Sequence, residues 1–271
     1  MTAGAGALEA AGSSSDIQVI ARAAHVLRLF SATQRSMRVA DASTELGLQR
    51  TTTHRYLTSL SNAGFLERDR DGSYGLGPLL VQLGTVALRG LRVLEVAGPY
   101  LQQLADDADE TAVLAVWGGL GSVVARVHEP VDRLVNISVR VGSALPLEAA
   151  QTQVFLAFLA DASIERRLLA QLPDPRRREI RDQVQAVRRD GYMVSSQVVQ
   201  GIRAIAAPVF DGHGAICATV AVIGTVSSIS DQAQSGLVLA LLRTAERLSR
   251  VLGCAAPLPF ESHLTFDQTA S

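Results

Sequence analysis

The sequence predicts an α+β fold with an N-terminal winged helix-turn-helix and a C-terminal antiparallel sheet with flanking helices. Three observations predict this fold. Two helical patterns meet at a glycine turn, Leu46-Gly47-Leu48, as in a helix-turn-helix. An Asp-Gly pair at 71–72 joins two short strand-like pieces, as in a hairpin. Beyond residue 110, strand-like segments alternate with helical ones and end in a long helix, which favours an antiparallel sheet with helices on its faces.

The helix after the glycine turn has two different faces. It is predicted to run from about Gln49 to Asn62, where Gly64 suits a left-handed helix end. One side carries an apolar stripe at helical spacing, made of Thr53, Tyr56, Leu57 and Leu60. The opposite side carries hydroxyls, an amide and guanidinium groups without a carboxylate. One face is therefore expected to pack on the domain, and the other is free to contact a partner.

The polar face and the hairpin that follows suit double-stranded DNA. A carboxylate there would repel phosphates, whereas arginine can pair with guanine or phosphate through two hydrogen bonds. A hairpin directly after a recognition helix is a wing. The alternative is a small helical domain whose polar face is merely solvated. The candidate DNA contacts are Arg50, Thr51, Thr52, His54, Arg55 and Thr58 on the helix, and Arg68 and Arg70 on the hairpin.

Residues 17–84 resemble the winged helix-turn-helix of the IclR family of bacterial transcriptional regulators. The resemblance is specific because several motifs recur in order at the family's spacing. It departs at Gln49, where the family often has proline as a helix starter. The matching motifs are Ile17-Gln18-Val19-Ile20-Ala21-Arg22-Ala23, Leu46-Gly47-Leu48, Arg50-Thr51-Thr52, His54-Arg55, Gly64-Phe65, Asp71-Gly72-Ser73-Tyr74 and Leu76-Gly77-Pro78.

The C-terminal half resembles the GAF-like effector-binding domain of the same family, so the resemblance covers nearly the whole chain. It implies a homodimer or homotetramer that binds operator DNA and a small organic or aromatic acid. The residues that carry it are Arg189-Asp190-Gly191-Tyr192, Gly201-Ile202, Ile205-Ala206-Ala207-Pro208-Val209-Phe210-Asp211, Gly214 and Ser230-Asp231.

The domain division follows from these patterns. Helices are expected at 16–33, 39–46, 49–62, 78–91, 93–109, 149–160, 164–171, 176–190 and 231–252, and strands at 111–117, 122–128, 136–141, 205–210 and 215–224. In the family the linker helix also helps dimerisation; the alternative is that it only packs on its own domain. The predicted parts are a disordered tail at 1–15, the DNA-binding domain at 16–77, a linker helix at 78–92, the effector-binding domain at 93–252 and a second tail at 253–271.

The resemblance places an effector pocket between the sheet and the helix after Pro146. The segment 145–153 lacks the family's glycine and basic residue and is one residue short, so its ability to hold a carboxylate stays open. Apolar residues on the facing strands predict a cavity for an aromatic or short hydrophobic acid. Trp117 and Cys217 also suit ordinary core positions. The candidate effector contacts are Trp117, Leu145, Thr152, Ser195, Ala204 and Cys217.

Composition narrows the class of protein. The net charge is −1, so attraction to DNA must come from local placement of charge. Two cysteines without metal spacing predict no disulfide framework, which fits a reducing cytoplasm. No apolar run reaches about 18 residues, and the N-terminus lacks the pattern of a signal peptide. A cytoplasmic protein is therefore expected.

Motifs of catalysis are missing from the sequence, and neither a cofactor nor a metal is expected. The glycine-rich run 118–121 sits between two strands rather than before a helix, as a nucleotide loop requires. His128-Glu129-Pro130 lacks the second histidine of a zinc protease. The expectation is a ligand-responsive regulator of a metabolic operon rather than an enzyme. The alternatives are a ligand-independent oligomeric repressor and an enzyme with a DNA-binding anchor; operon, effector and sign of regulation stay open.

Overall fold

The computed structural model describes residues 17–130, 137 and 139–265, and the chain divides into two compact units between Gly90 and Leu91. The N-terminal unit forms a small helical core with a three-stranded sheet, in strand order β1-β3-β2. Its elements are α1 (Gln18–Leu27), β1 (Ser36–Met37), α2 (Val39–Leu46), α3 (Arg50–Asn62), β2 (Leu66–Arg68), β3 (Tyr74–Leu76) and α4 (Pro78–Arg89).

Glycine determines both ends of the helix-turn-helix. Gly47 ends α2 with φ +62°, and the next amide, of Leu48, donates a hydrogen bond to the Ser43 carbonyl at 3.1 Å. Gly64 follows α3 with φ +78°, and the Phe65 amide donates to the Leu60 carbonyl at 2.9 Å. Both bonds are those of a left-handed helix end, which glycine adopts without strain. The predicted turn and the predicted end of α3 are confirmed.

The predicted stripe on α3 forms part of the N-terminal core. Thr53, Leu57 and Leu60 are buried, and Tyr56 is partly buried against the same cluster. Side chains from α1, α2 and all three strands complete that cluster. The core therefore holds α3 by one face, as the helical spacing predicts.

Two features of the N-terminal unit differ from the sequence prediction. Helix α1 ends at Leu27 rather than near residue 33. Strand β1 was not predicted; it pairs with β3 through Ser36↔Gly75 and Met37↔Tyr74. Two residues are too short to show a strand period, so only their pairing defines them. Residue 16 lies outside the described residues.

The C-terminal unit is built on a five-stranded antiparallel sheet with the order β5-β4-β8-β7-β6. This confirms an antiparallel sheet with flanking helices. The elements are α5 (Arg92–Ala108), β4 (Thr111–Trp117), β5 (Ser122–His128), α6 (Ala150–Phe158), α7 (Ala162–Leu169), α8 (Asp174–Asp190), β6 (Met193–Ser195), β7 (Ile202–Phe210), β8 (Ile216–Thr225), α9 (Asp231–Val251) and α10 (Glu261–Thr265).

Both faces of this sheet are covered. Successive side chains of a strand point to opposite faces. On β4, Ala112 and Leu114 join the core shared with α5 and α9. On the other face, Ala206 of β7 and Ala221 of β8 pack against side chains of α6 and α8. The small alanines on this face let α6 lie close to the sheet.

The strand predicted at 136–141 is wrong for the residues that the structure describes there. Residues 137 and 139–141 belong to no strand. Instead, a turn meets the outer edge of β5: the Val124 amide donates to the Ser143 carbonyl at 2.9 Å, and the Gly142 amide donates to the Val124 carbonyl at 2.8 Å. The contact continues through an isolated bridge between Val123 and Ala144, so a turn and a single bridge stand beside β5 in place of a strand. Residues 136 and 138 lie outside the described part.

The tail predicted at 253–271 is wrong as far as the structure describes it. Cys254, Leu258 and Phe260 are buried in the core of the C-terminal unit, and α10 follows. A Cβ built on Gly191 would lie 2.7 Å from the Cβ of Phe260, so the segment packs tightly there. Apolar residues without a period can still fill a core when an irregular segment crosses it. None of the described helices is long and apolar enough to span a bilayer.

Candidate functional sites

Helix α3 exposes most of the predicted DNA contacts. Arg50, Thr51, His54 and Arg55 are exposed, and Thr52 is half-buried. No residue of α3 carries a carboxylate, and the helix has no side-chain cap, so its first amides stay available to an acceptor. Its N-terminal end therefore offers a positive dipole end and two guanidinium groups on one accessible surface.

Thr58 lies on the border between α3 and the wing. It is half-buried, and its hydroxyl lies 3.4 Å from the Tyr74 hydroxyl of β3. The guanidinium carbon of Arg68 lies 5.8 Å from the centre of the buried Tyr74 ring, within the range of a cation–π contact. Tyr74 thus links the helix to the wing and places Arg68 on the side of α3.

The wing tip is a tight hairpin. The Asp69 amide donates to the Ser73 carbonyl at 2.8 Å, and Gly72 takes φ +84°. Arg70 is exposed at the tip. Asp71 accepts hydrogen bonds from the amide and hydroxyl of Ser73, at 3.0 and 2.7 Å, and these bonds lower the pKa of its carboxyl.

The start of α6 is fixed by three consecutive polar side chains. The Gln151 amide donates to the Val113 carbonyl of β4 at 3.4 Å and to the Thr219 hydroxyl of β8 at 3.2 Å. The Thr152 hydroxyl lies 2.7 Å from the Ser122 hydroxyl of β5. The Gln153 amide donates to Gln183 of α8 at 2.8 Å. Each side chain therefore reaches a different neighbour of the helix.

The hydroxyl groups of the two candidate effector contacts that carry one, Thr152 and Ser195, are already engaged within the protein. Thr152 also accepts a bond from the Ser122 amide at 3.2 Å. The Ser195 hydroxyl donates to the Glu148 carbonyl at 3.1 Å. The first amides of a helix have no acceptor inside the helix, and α6 has no side-chain cap. Its buried first turn therefore offers backbone N–H groups, whereas the hydroxyl groups beside it are engaged.

The predicted effector contacts do not come together in one place. Ser195 pairs with Ala204, and Ala204 pairs with Ile223, which pairs with Thr111 at the start of β4. Trp117 lies six residues further along β4, about 20 Å away at 3.3 Å per residue, and its ring centre is 5.5 Å from that of Phe155. A single ring cannot contact both ends. The register across four strands, β6, β7, β8 and β4, decides this, and the sequence does not reveal that register.

Leu145 and Thr152 lie towards the end of β4 where Trp117 is. The Leu145 amide donates to the Ser122 carbonyl at 2.8 Å, and Ser122 is the register partner of Trp117. Leu145 is half-buried. Among the six candidates, only Ser195 and Ala204 are direct neighbours at the other end.

Cys217, predicted to line the effector pocket, lies on the opposite face of the sheet. It lies at a register shift between β7 and β8, and it packs against the core shared with α5 and α9, on the face away from α6. Its thiol is 3.4 Å from the Val209 carbonyl. Burial raises the pKa of this thiol to about 12, with a further contribution from Asp211. The β-bulge reverses the side that strand alternation predicts for it.

An ion network that was not predicted lies beside the start of α6. Arg176 of α8 lies 3.3 Å from the Glu148 carboxylate and 2.6 Å from that of Glu179, and it donates to Gln197 at 3.3 Å. Its hydrogen bond with Glu179 raises the pKa of Arg176 and lowers that of Glu179. Only the spacing of Arg176 and Glu179 is visible in the sequence; their other partners are distant in the chain.

Comparison with known proteins agrees with both units. Residues 19–70 match the IclR helix-turn-helix domain, and residues 85–250 match the bacterial transcriptional regulator IclR C-terminal family. The chain is 27% identical over 237 residues to the Pca regulon regulatory protein of Pseudomonas putida, covering 84% of this chain and 81% of that one. It is 31% identical over 203 residues to an HTH-type transcriptional regulator of Mycobacterium tuberculosis, covering 72% and 77%.

A solved structure has the same fold. An IclR homolog from Microbacterium hydrocarbonoxydans, complexed with 4-hydroxybenzoate, superposes with a TM-score of 0.64 at 23% identity and covers 87% of this chain and 99% of its own. The exposed, carboxylate-free face of α3 and the wing beside it are thus found in a chain whose two units both match one family. The protein belongs to the IclR family of DNA-binding transcriptional regulators.

Proposed function

We propose that this regulator binds operator DNA as a dimer or tetramer through α3 and the wing, and that a small aromatic or hydrophobic acid bound in the C-terminal unit modulates that binding. The observation that carries the DNA part is the exposed face of α3. Arg50, Thr51, His54 and Arg55 contact base edges and phosphates there. Thr52, Thr58 and Arg68 lie at the border of the same surface, and Arg70 lies at the wing tip.

Selection of a binding site tests the DNA part directly. The full-length chain is incubated with a randomised duplex library, and bound sequences are enriched. A two-fold dimer predicts two related half-sites, with their centres about one helical turn or a multiple apart. Recovery of no common sequence would contradict the assignment of α3 as a base-reading helix.

Helix α4 supports an assembly of two or more copies. None of its residues is buried, although Val81, Leu83, Val86 and Leu88 are apolar. Val81 and Val86 are 69% and 66% exposed. A contiguous exposed apolar helix favours burial against another surface. Sedimentation velocity at micromolar concentration, with and without DNA, tests this; a monomer in both states would contradict it.

The effector site is best supported at the start of α6 beside Ser195 and Ala204. The first-turn amides of α6 can hold a carboxylate, because a helix N-terminus favours an anion. The row Ser195–Ala204–Ile223 adds two apolar side chains, which stabilise a ring by burial. Trp117, Leu145 and Thr152 then support α6 on the side of β4 and β5 rather than contacting the ligand.

One structural relative, the IclR homolog from Microbacterium hydrocarbonoxydans, is complexed with an aromatic acid, 4-hydroxybenzoate. Calorimetry of the full-length chain with benzoate, 4-hydroxybenzoate and glyoxylate tests the proposal. We expect micromolar binding of the aromatic acids and weaker binding of glyoxylate, because the two-carbon acid buries little apolar area.

A second candidate function is regulation without a ligand. It is favoured by the start of α6, where Gln151, Thr152 and Gln153 all bond to other parts of the protein. Such a protein would act by oligomerisation alone. The same calorimetry distinguishes the two candidates, since a ligand-independent repressor binds DNA in the same preparation but shows no heat with any of the acids.

A further inference from the structure

Strand β1 brings an arginine outside the recognition helix to the wing tip. Met37, the last residue of β1, pairs with Tyr74 of β3, and Arg38 follows immediately before α2. A guanidinium nitrogen of Arg38 lies 3.6 Å from a carboxylate oxygen of Asp71. The side chains of Arg38 and Asp71 are 68% and 56% exposed. This pair therefore connects the start of α2 to the hairpin on the open surface of the N-terminal unit.

The two partners differ in how firmly they are held. Asp71 is fixed by two hydrogen bonds from Ser73, one from the amide and one from the hydroxyl. Its carboxylate is therefore part of the turn. For Arg38, the ion pair with Asp71 is the side-chain contact that the structure shows. A long, exposed guanidinium side chain can therefore turn away while the hairpin keeps its shape.

Breaking the ion pair between Arg38 and Asp71 costs little free energy. Exposed ion pairs contribute about 0–1 kcal/mol, because water screens them and ordering two side chains costs entropy. A phosphodiester offers arginine a charge-assisted contact, and each neutralised phosphate also releases condensed counterions. The exposed Arg70 and Arg68 lie on the same hairpin, so DNA bound at the wing brings phosphates to the neighbourhood of Arg38.

We propose that Arg38 contacts a DNA backbone phosphate beside the wing, and that Asp71 holds Arg38 in the free protein and gives it up to that phosphate on binding. The inference rests on the DNA contacts proposed above for α3 and the wing. It makes Asp71 a competitor of the DNA: its carboxylate both occupies Arg38 and repels the incoming phosphate. Removing the charge of Asp71 therefore favours the bound state.

The test uses the full-length chain and a labelled duplex selected from the randomised library, with fluorescence anisotropy over a range of salt concentrations. Log affinity falls as log salt rises, and Arg38→Ala should make this fall shallower by about one unit of slope for each N-terminal unit bound to the DNA. Arg38→Lys should restore most of that slope, since lysine keeps the point charge. Asp71→Asn keeps an acceptor for Ser73 and should tighten binding several-fold. Arg178→Ala, at an exposed position of α8, is the control and should change nothing.

Two outcomes would overturn the proposal. One is an Arg38→Ala slope equal to that of the Arg178→Ala control. The other is an Asp71→Asn variant that binds as weakly as Arg38→Ala, because Asp71 would then support binding rather than compete with it. Arg55→Ala separates these results from a failure of the wider proposal: if it weakens binding while Arg38→Ala does not, only the role of Arg38 is lost. Melting temperatures of all variants verify that each is folded.

Discussion

The hydroxyl groups of Thr58 and Tyr74 lie 3.4 Å apart, so the recognition helix and the wing share a side-chain contact. The Tyr74 ring is buried, whereas Thr58 is only half-buried. The position and the angle of the wing relative to α3 thus depend on the Thr58–Tyr74 hydrogen bond as well as on the apolar core.

Tyr74→Phe tests that contact. The ring stays in the core, and the loss of one hydrogen bond should lower the free energy of unfolding by about 0.5–1.5 kcal/mol. DNA affinity should fall at an unchanged salt slope, because no phosphate contact is lost. Tyr56→Phe, at a half-buried tyrosine of the same unit, is the control. Equal effects of the two substitutions on DNA affinity would show that the contact with Thr58 does not position the wing.

Arg55→Ala tests the exposed face of α3. Arg55 lies opposite the buried stripe, so the fold should be unaffected while operator binding weakens. A lost base contact should cost about 1–3 kcal/mol at one operator position, whereas a lost phosphate contact should flatten the salt slope by about one unit. Anisotropy titrations on the selected duplex measure both. Binding as tight as that of Arg178→Ala would remove Arg55 from the interface.

Thr152→Val tests the attachment of α6 to β5. Valine keeps the shape but leaves Ser122, which is fully buried, without its partner. The unfolding free energy should fall by about 1–3 kcal/mol, as for an unpaired buried polar group. Ser122→Ala and the double variant complete a cycle in which the two effects should not add. Additive losses in chemical denaturation would mean that the two hydroxyls do not interact.

The Cys217 thiol predicts how the stability of the folded state changes with pH. Its pKa is raised to about 12 because burial disfavours the thiolate. The folded state therefore binds the proton more tightly than the unfolded one. The stability from this group is fully present below the ordinary thiol pKa, near 9, and is lost between about 9 and about 12.

Alkylation with iodoacetamide at pH 8 measures this difference. Cys217 should react slowly in the folded chain and quickly in guanidinium chloride, because the thiolate is the nucleophile. Cys254→Ser leaves Cys217 as the one remaining cysteine of the sequence and makes the reading unambiguous. Equal rates in the folded and unfolded chains would contradict the partly buried position of the thiol.

Phe260→Ala tests the packing of the segment after α9. Phe260 is fully buried and contacts the turn at Gly191. Replacing it should cost about 3–5 kcal/mol, the usual loss for a buried aromatic side chain. Val251→Ala, at a residue that is 45% exposed, should cost far less. If thermal unfolding of the two variants is the same, residues 254–265 do not contribute to the core.

The sequence predicts those features that neighbouring residues determine, and it does not predict those that depend on the pairing of distant strands. The strands at 111–117 and 122–128 coincide with β4 and β5, because apolar runs bounded by glycine and acidic turns are local features. Strand β1 has two residues and exists only through Met37↔Tyr74. Likewise, the distance between Trp117 and Ala204 follows from pairing across three strands. Cys217 adds a bulge, which no alternation pattern reveals.

The three side chains at the start of α6 have a mechanical consequence. Gln151 bonds to β4 and β8, Thr152 to β5, and Gln153 to α8. These bonds point in three directions, and hydrogen bonds weaken steeply once the atoms separate or lose alignment. The first turn of α6 therefore cannot slide or rotate by itself without breaking bonds in at least one direction. A displacement imposed there must move β4, β5, β8 and α8 together, so a load on this turn is shared between the sheet and the helix that packs beside α6.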